Sequence, residues 1–410
     1  MSSSGSSSPT SINTITPTLS TPTTAATSVG TSTKSDVKRI LVAGATGKQG
    51  FATVRALLRL NGIQDTQQDR FQILALTRNE RSKAAQELAS FNSSSLGKNV
   101  GEDDFEVVEA DLNSKESVRA IFERYRDDGG IYGVFSVQAF PGLGVDSSGE
   151  EAQGKNIADV AYEFRVQHFV YSSSERAEEV FDDQAKEGSS HLAKVRIEER
   201  VKELGEMEGG FGWTILRPVR FYENFSGPLG GVTFAIFRAG MKETTRLDLV
   251  AADDVGRIAA EVFRNPTPYS HKILVPVGDT LTCRQIEEVH LKASGKSITK
   301  VPGIVANGLL WMNKGTKDML ASIERPAEAL AQGLLPNLPD QIEDARKAFV
   351  GGEDDKEGQK RGLTTFEEWV HLHEYEQEGT QAKTKSEVEQ DTSGSGWNRV
   401  SLVKLISGRH

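Results

Sequence analysis

Three features of the sequence predict a doubly wound α/β protein, with a parallel sheet and a smaller α/β lobe towards the C-terminus. Between Arg39 and Leu60 an apolar run breaks into regularly spaced glycines and restarts as a helix. After Lys38, strand-like and helix-like segments alternate. From about Phe221 that alternation loosens. Alternating elements of this kind favour a parallel sheet with helices on both faces.

The first strand is read at Ile40 to Ala43, a short run suited to burial on both faces. Gly44, Gly47 and Gly50 follow, and Phe51, Val54 and Leu58 then recur at helical spacing until Asn61-Gly62. In such a strand–turn–helix, the first glycine permits the tight turn and the second lets backbone approach a phosphate. The third lets the helix lie close to the strand, and the helix N-terminus offers free N–H groups to an anion. The reading is a dinucleotide pyrophosphate cradle. A nucleoside-triphosphate P-loop fails, because Gln49 stands after Lys48 where Ser or Thr is needed.

Further strands are read at Phe71 to Thr77, Phe105 to Ala110, Ile131 to Val137, His168 to Tyr171, Trp213 to Leu216 and Lys272 to Val277. Asn113 reads as a helix cap before the apolar stripe Val118, Ile121, Phe122 and Tyr125. Ile157, Val160, Ala161 and Phe164 mark another helix face, Ala251 to Phe263 a further helix, and Phe366 to Tyr375 a short closing one. Two polar stretches, Gly62 to Arg70 and Phe91 to Asp104, read as surface insertions. The expected organisation is a leader over 1–36, a dinucleotide-binding core over 37–220, a substrate or partner lobe over 221–375, and a polar tail over 376–410.

Residues 1–33 are Ser/Thr-dominated and carry no charged side chain, so they cannot bury enough apolar surface to offset ordering and read as disordered. They lack the apolar core of a secretion signal and the arginines of a transit peptide. No apolar run reaches the roughly 20 residues of a membrane helix. A cytoplasmic protein is expected, with the nucleus as a second compartment. The net charge of −10 gives no support for direct nucleic-acid or anionic-membrane binding, and the single Cys283 excludes an intrachain disulfide and a multi-cysteine metal site.

Arg78 follows the second strand, where an acid would favour NAD and an arginine pairs with the NADP 2′-phosphate. It points to NADP(H), with Arg81 as a second candidate clamp. Asp111-Leu112 stands where the adenine belongs. After the fifth strand come Ser172, Ser173 and Ser174, with Lys194 on the next helix. In short-chain dehydrogenases a serine there orients substrate, and a Tyr-x-x-x-Lys pair supplies the proton and holds the nicotinamide ribose. Four residues before Lys194 stands Ser190, whose hydroxyl is far too weak an acid to replace a phenol of pKa about 10. His191 is the adjacent proton carrier but lies one residue round the helix. His371 and His373 do not share a helix face, so no metal is expected. Tyr171 reads as strand core. Glu198-Glu199-Arg200 reads as solvated charge.

Together, Gly44-Ala-Thr-Gly47-Lys-Gln-Gly50, Thr77-Arg78-Asn79, the VYSSSERA run from Val170, Lys194, ILRPVRFYENF from Ile215 and TTFEEWV from Thr364 resemble the NmrA-like family of atypical short-chain dehydrogenases/reductases. The resemblance spans roughly Val37 to Tyr375. It implies a Rossmann fold binding NADP(H) in an extended groove, with Gly44, Thr46, Gly47, Lys48, Gln49 and Gly50 along the pyrophosphate. Arg78 would meet the 2′-phosphate. Gln138 and Lys194 would lie near the nicotinamide ribose, Ser173 and Lys194 would be the catalytic candidates, and Asn224 would stand at the cleft mouth. Some members reduce quinone-like or aromatic substrates; others bind dinucleotide and report its redox state to partner proteins. An intact cofactor side beside a missing tyrosine favours a redox-responsive regulator, with an NADPH-dependent oxidoreductase of a small carbonyl, imine or quinone-like substrate as the alternative.

Overall fold

Most of the seven strand segments are short apolar runs that need a setting buried on both faces, and all seven lie in one parallel sheet, whose edge segments Phe105–Glu109 and Lys272–Leu274 are the more exposed and polar ones. A computed structural model describes residues 37–62, 70–90, 101–142, 145–298, 314–349 and 362–373. The expected leader, the tail and most of both insertions lie outside these residues.

The sheet runs β3-β2-β1-β4-β5-β6-β9. Its strands are β1 (Lys38–Ala43), β2 (Phe71–Thr77), β3 (Phe105–Glu109), β4 (Gly133–Ser136), β5 (His168–Ser172), β6 (Gly212–Leu216) and β9 (Lys272–Leu274). Register is fixed by pairs such as Ile40 with Ile73 and Ala43 with Ser136. The strand order reverses between β1 and β4, so their carboxyl ends diverge into a crevice, the place such sheets bind ligands.

On one face Ile40, Val42 and Ile73 meet α1 (Lys48–Gly62) and α7 (Ala252–Arg264). On the other, Leu41 and Leu74 share a core with α3 (Lys115–Tyr125), α4 (Ser148–Glu163) and α5 (Ser190–Glu206). Backbone approaches are close: a Cβ on Gly256 of α7 would stand 2.4 Å from the Ala52 carbonyl carbon of α1. Short α2 (Lys83–Ser90) follows β2.

The remainder forms a second layer. A small sheet, β10-β8-β7, joins β7 (Arg220–Phe221), β8 (Arg246–Val250) and β10 (Asp279–Thr282). Around it lie α6 (Gly227–Gly240), α8 (Cys283–Ser294), α9 (Lys314–Ala331) and the closing helix α11 (366–373). Its core contains Tyr222, Phe225, Phe234, Leu247, Ile286, Phe366 and Trp369. The chain weaves between layers: α7 and β9 return to the main sheet, and α10 (Leu338–Phe349) packs beside β9.

Two local expectations change. The cap of α3 is Ser114, whose hydroxyl accepts the Ser117 N–H at 3.1 Å, while Asn113 is drawn back to Asp111. Glu198 is buried, because Arg176 and Arg217 enclose it. The glycine-rich, aromatic stretch after Asn224 is mostly helix, with Phe234, Ile236 and Phe237 inward.

Candidate functional site

The glycine loop joins β1 to α1 at the crevice. Gly44 has φ +81°, and a Cβ on it would lie 2.5 Å from the Val137 carbonyl oxygen. A Cβ on Gly50 would lie 2.2 Å from the Gly44 oxygen. At Gly47 the only near neighbour among the described residues is the Gly44 oxygen at 3.3 Å, so its outer side is open among them. Two glycines are therefore fixed by the protein's own packing, and the third leaves space for a ligand. The Gly47 N–H donates to the Gly44 carbonyl at 2.9 Å, and Phe51 N–H donates to that of Gly47. The fold thus offers a narrow backbone cradle at a helix N-terminus, a fitting seat for a diphosphate.

Gln49 ties this loop to β5, its Oε1 accepting from the Ser172 hydroxyl at 2.6 Å. Thr46 is part-exposed on the loop. Lys48 is largely withdrawn from water; burial lowers its pKa, with Glu223 opposing that shift. Its Nζ lies 3.5 Å from the Glu223 carbonyl. Glu223, in the 3₁₀ turn Tyr222–Phe225, accepts the Ala252 N–H at the start of α7. Burial raises its pKa. Asn224 sits part-buried in that same turn.

At the end of β2, Arg78 is exposed. Asn79 Oδ1 accepts the Arg81 N–H at 2.9 Å, forming a tight turn beyond it. The Asp111 carboxylate takes both the Asn113 backbone and side-chain N–H groups, and the Leu112 side chain packs into the core. The backbone there is engaged as well, the Asp111 N–H donating to the Ser117 hydroxyl at 3.1 Å and the Leu112 carbonyl accepting from the Asn156 side chain at 2.9 Å. Gln138, 6% exposed, donates to Ser136 at 2.7 Å, and its Oε1 has no hydrogen-bond partner among the described residues. That orphaned acceptor beside the cradle is a fitting contact for a ligand hydroxyl or amide.

Lys194 is held by a residue the sequence did not mark. Its ammonium pairs with Glu150 Oε1, and the Ser190 hydroxyl donates to Glu150 Oε2 at 2.7 Å. Glu150 sits in the first turn of α4 with its carboxylate buried. His191 turns to Asp182, 3.0 Å away. Ser173 is buried at the end of β5, its N–H donating to Leu216. Tyr171 is core as expected; burial, then Glu150 and Glu198, raise its pKa, so this phenol keeps its proton. His373 stacks on Trp369 at 4.3 Å, and no metal-binding cluster occurs among the described residues. Glu150 is illegible in the sequence, since a single acid at a helix start carries no motif, and Glu223 stands inside the ILRPVRFYENF run without any sign there that it would face Lys48 and Ala252.

A family model described as the NmrA-like family matches residues 36–329. The chain belongs to the NmrA-like family. This NmrA-like chain is 25% identical over 269 residues to an NmrA-like family domain-containing protein of Dictyostelium discoideum, covering 64% of this chain and 79% of that protein. It is 28% identical over 264 residues to the NmrA-like oxidoreductase hkm9 of Aspergillus hancockii, covering 59% and 68%. Among solved structures it shares its fold with the negative transcriptional regulator NmrA in complex with NAD (TM-score 0.55, 16% identity, 84% of this chain and 98% of that one). It also shares it with the NADPH-dependent quinone oxidoreductase QOR2 of Escherichia coli complexed with NADPH (TM-score 0.53, 20% identity, 82% and 99%). No described helix is long and apolar enough to cross a membrane.

Proposed function

We propose that this NmrA-like protein binds a nicotinamide dinucleotide, NADP(H) in preference to NAD(H), and acts as a redox-responsive regulator. The observation that carries this reading is the pairing of an intact cradle with a spent proton-donor position. The Gly47 side of the loop is open among the described residues, while Ser190, standing where a catalytic tyrosine would be, donates its hydroxyl hydrogen bond to buried Glu150. When bound, the nicotinamide supplies hydride-transfer capacity. Gly44, Thr46, Gly47, Lys48, Gln49 and Gly50 would hold the pyrophosphate. Exposed Arg78 would clasp the 2′-phosphate, as a guanidinium suits that dianion. Asp111 and the Leu112 backbone would border the adenine, and Gln138 and Lys194 the nicotinamide ribose.

A regulator of this kind signals only if NADP+ and NADPH favour two conformations unequally. The segment after Gln138 and the turn carrying Asn224 would border the cleft and be the elements on which a protein partner would read the difference. Calorimetric titration with NADP+, NADPH, NAD+ and NADH tests this. The expected result is at least about tenfold tighter binding of the phosphorylated forms. Arg78→Ala should erase that preference, and affinity or conformation should differ between NADP+ and NADPH. Absence of binding by all four dinucleotides refutes the reading.

The second reading, an NADPH-dependent oxidoreductase of a small carbonyl, imine or quinone-like substrate, is favoured by relatives such as hkm9, named oxidoreductases. A quinone accepts hydride with little help from a strong acid, so the serine at 190 does not oppose it. NADPH oxidation across a panel of such acceptors, lost in Lys194→Ala, would establish it.

A further inference from the structure

Glu150 belongs to no motif, yet its carboxylate is wholly buried and spans two positions of α5 one turn apart, Ser190 and Lys194. A buried carboxylate that lost its cation would stand as an uncompensated charge, so the pair with Lys194 is durable. An ammonium has three donors. One is committed to Glu150, which fixes the direction of the others. We propose that Glu150 is the positioning residue of the cofactor site: it anchors Lys194 from α4 so that the ammonium's remaining donors meet the nicotinamide ribose.

The inference rests on the dinucleotide reading above and adds the group that sets Lys194 in place. Ser190 completes the array by occupying the second carboxylate oxygen, so Glu150 is satisfied on both sides. Glu150 has no part in recognising the adenosine half, which would lie around Arg78 and Asp111, on other elements. That separation supplies the test.

NADP+ and adenosine 2′,5′-bisphosphate, which lacks the nicotinamide ribose, are titrated into the wild type, Glu150→Gln, Lys194→Ala and the double variant. Each single variant should bind NADP+ about tenfold more weakly, and the double variant no more weakly than Lys194→Ala. All four proteins should bind the bisphosphate equally, which a variant that merely unfolds would not. Wild-type NADP+ affinity in Glu150→Gln overturns the inference. Equal weakening of both ligands, or losses that add in full, overturn it too. A wild type that binds neither ligand overturns the dinucleotide reading, and this inference with it.

Discussion

The guanidinium of Arg217, fully buried just beyond β6, donates to Oε2 of Glu198 on α5 at 2.7 Å. Arg176, from the loop after β5, closes on the same carboxylate from its other side at 2.5 and 2.9 Å. Through Asp182, Arg176 also reaches the loop that leads to His191. One carboxylate therefore ties the RP turn after β6, the segment after β5 and the helix bearing Lys194 into a single charged knot.

Removing that carboxylate leaves two buried guanidinium groups short of a partner. Glu198→Gln should cost about 3–5 kcal/mol, read as a lowered denaturant midpoint. Burial alone would push the Glu198 pKa up, but Arg217 and Arg176 outweigh it and hold it down at about 2. Its folded value is thus below the unfolded one, about 4.3. The stabilisation is complete above the unfolded value and is lost as pH falls towards about 2. Acid unfolding of Glu198→Gln should therefore show a shallower pH dependence across that window than the wild type.

Asp254 at the start of α7 should carry the opposite sign. It accepts the Thr364 N–H at 2.7 Å and the Thr364 hydroxyl at 2.9 Å, fastening the segment before α11. Burial lifts its pKa to about 6 despite those bonds. The folded value exceeds the unfolded one, so this contribution is full below the unfolded pKa and fades as pH rises through about 6. Thr364→Val leaves Asp254 Oδ1 short of a donor and should cost about 1–3 kcal/mol. The cost should be larger at pH 7.5 than at pH 5, measured as the wild-type-to-variant difference in urea midpoint.

What could be read from the chain divides along physical lines. The parallel strands were legible because strands buried on both faces are continuously apolar, as Ile40 to Ala43 and Ile73 to Leu76 are. The glycine loop was legible because Gly44 and Gly50 are required by backbone contact whatever is bound. The small sheet was not, since Arg220–Phe221 is too short to show a period, and glycines obscured α6. Glu198 looked like surface charge because a sequence does not show that Arg176 and Arg217 converge on it. Glu150 was missed likewise: its partners lie forty residues or more away, on another helix.

Glu178 gives a test of how the C-terminal helices dock. Its buried carboxylate accepts the N–H groups of Asn337 and Leu338, both at 2.9 Å, and the Asn337 side chain at 2.8 Å. It thereby serves the N-terminus of α10 from a loop far away in sequence. Glu178→Ala would strand those donors and should destabilise by about 2 kcal/mol. Glu178→Gln keeps one oxygen for the two backbone groups and should recover most of the loss. Hydrogen exchange at Asn337 and Leu338 should rise in the alanine variant and stay near wild type in the glutamine variant.

The three glycines of the loop should respond to alanine in two different ways. At Gly50 a methyl would press into the Gly44 carbonyl at 2.2 Å, and at Gly44 it would meet the Val137 oxygen at 2.5 Å on a backbone of φ +81°. Both clash with backbone, which cannot swing aside as a flexible side chain can, so both variants should lower Tm and dinucleotide affinity together. At Gly47 the contact is far milder, the Gly44 carbonyl oxygen at 3.3 Å, and a shift of a few tenths of an ångström relieves it. Gly47→Ala should keep Tm within about 2 °C of wild type, as a change below 0.5 kcal/mol implies. Its methyl would nonetheless stand where a diphosphate must approach the backbone, so NADP+ affinity should fall about tenfold or more. Calorimetry beside thermal melts separates the two classes. A Gly47→Ala protein of native stability that binds NADP+ as wild type does would mean that the pyrophosphate lies elsewhere.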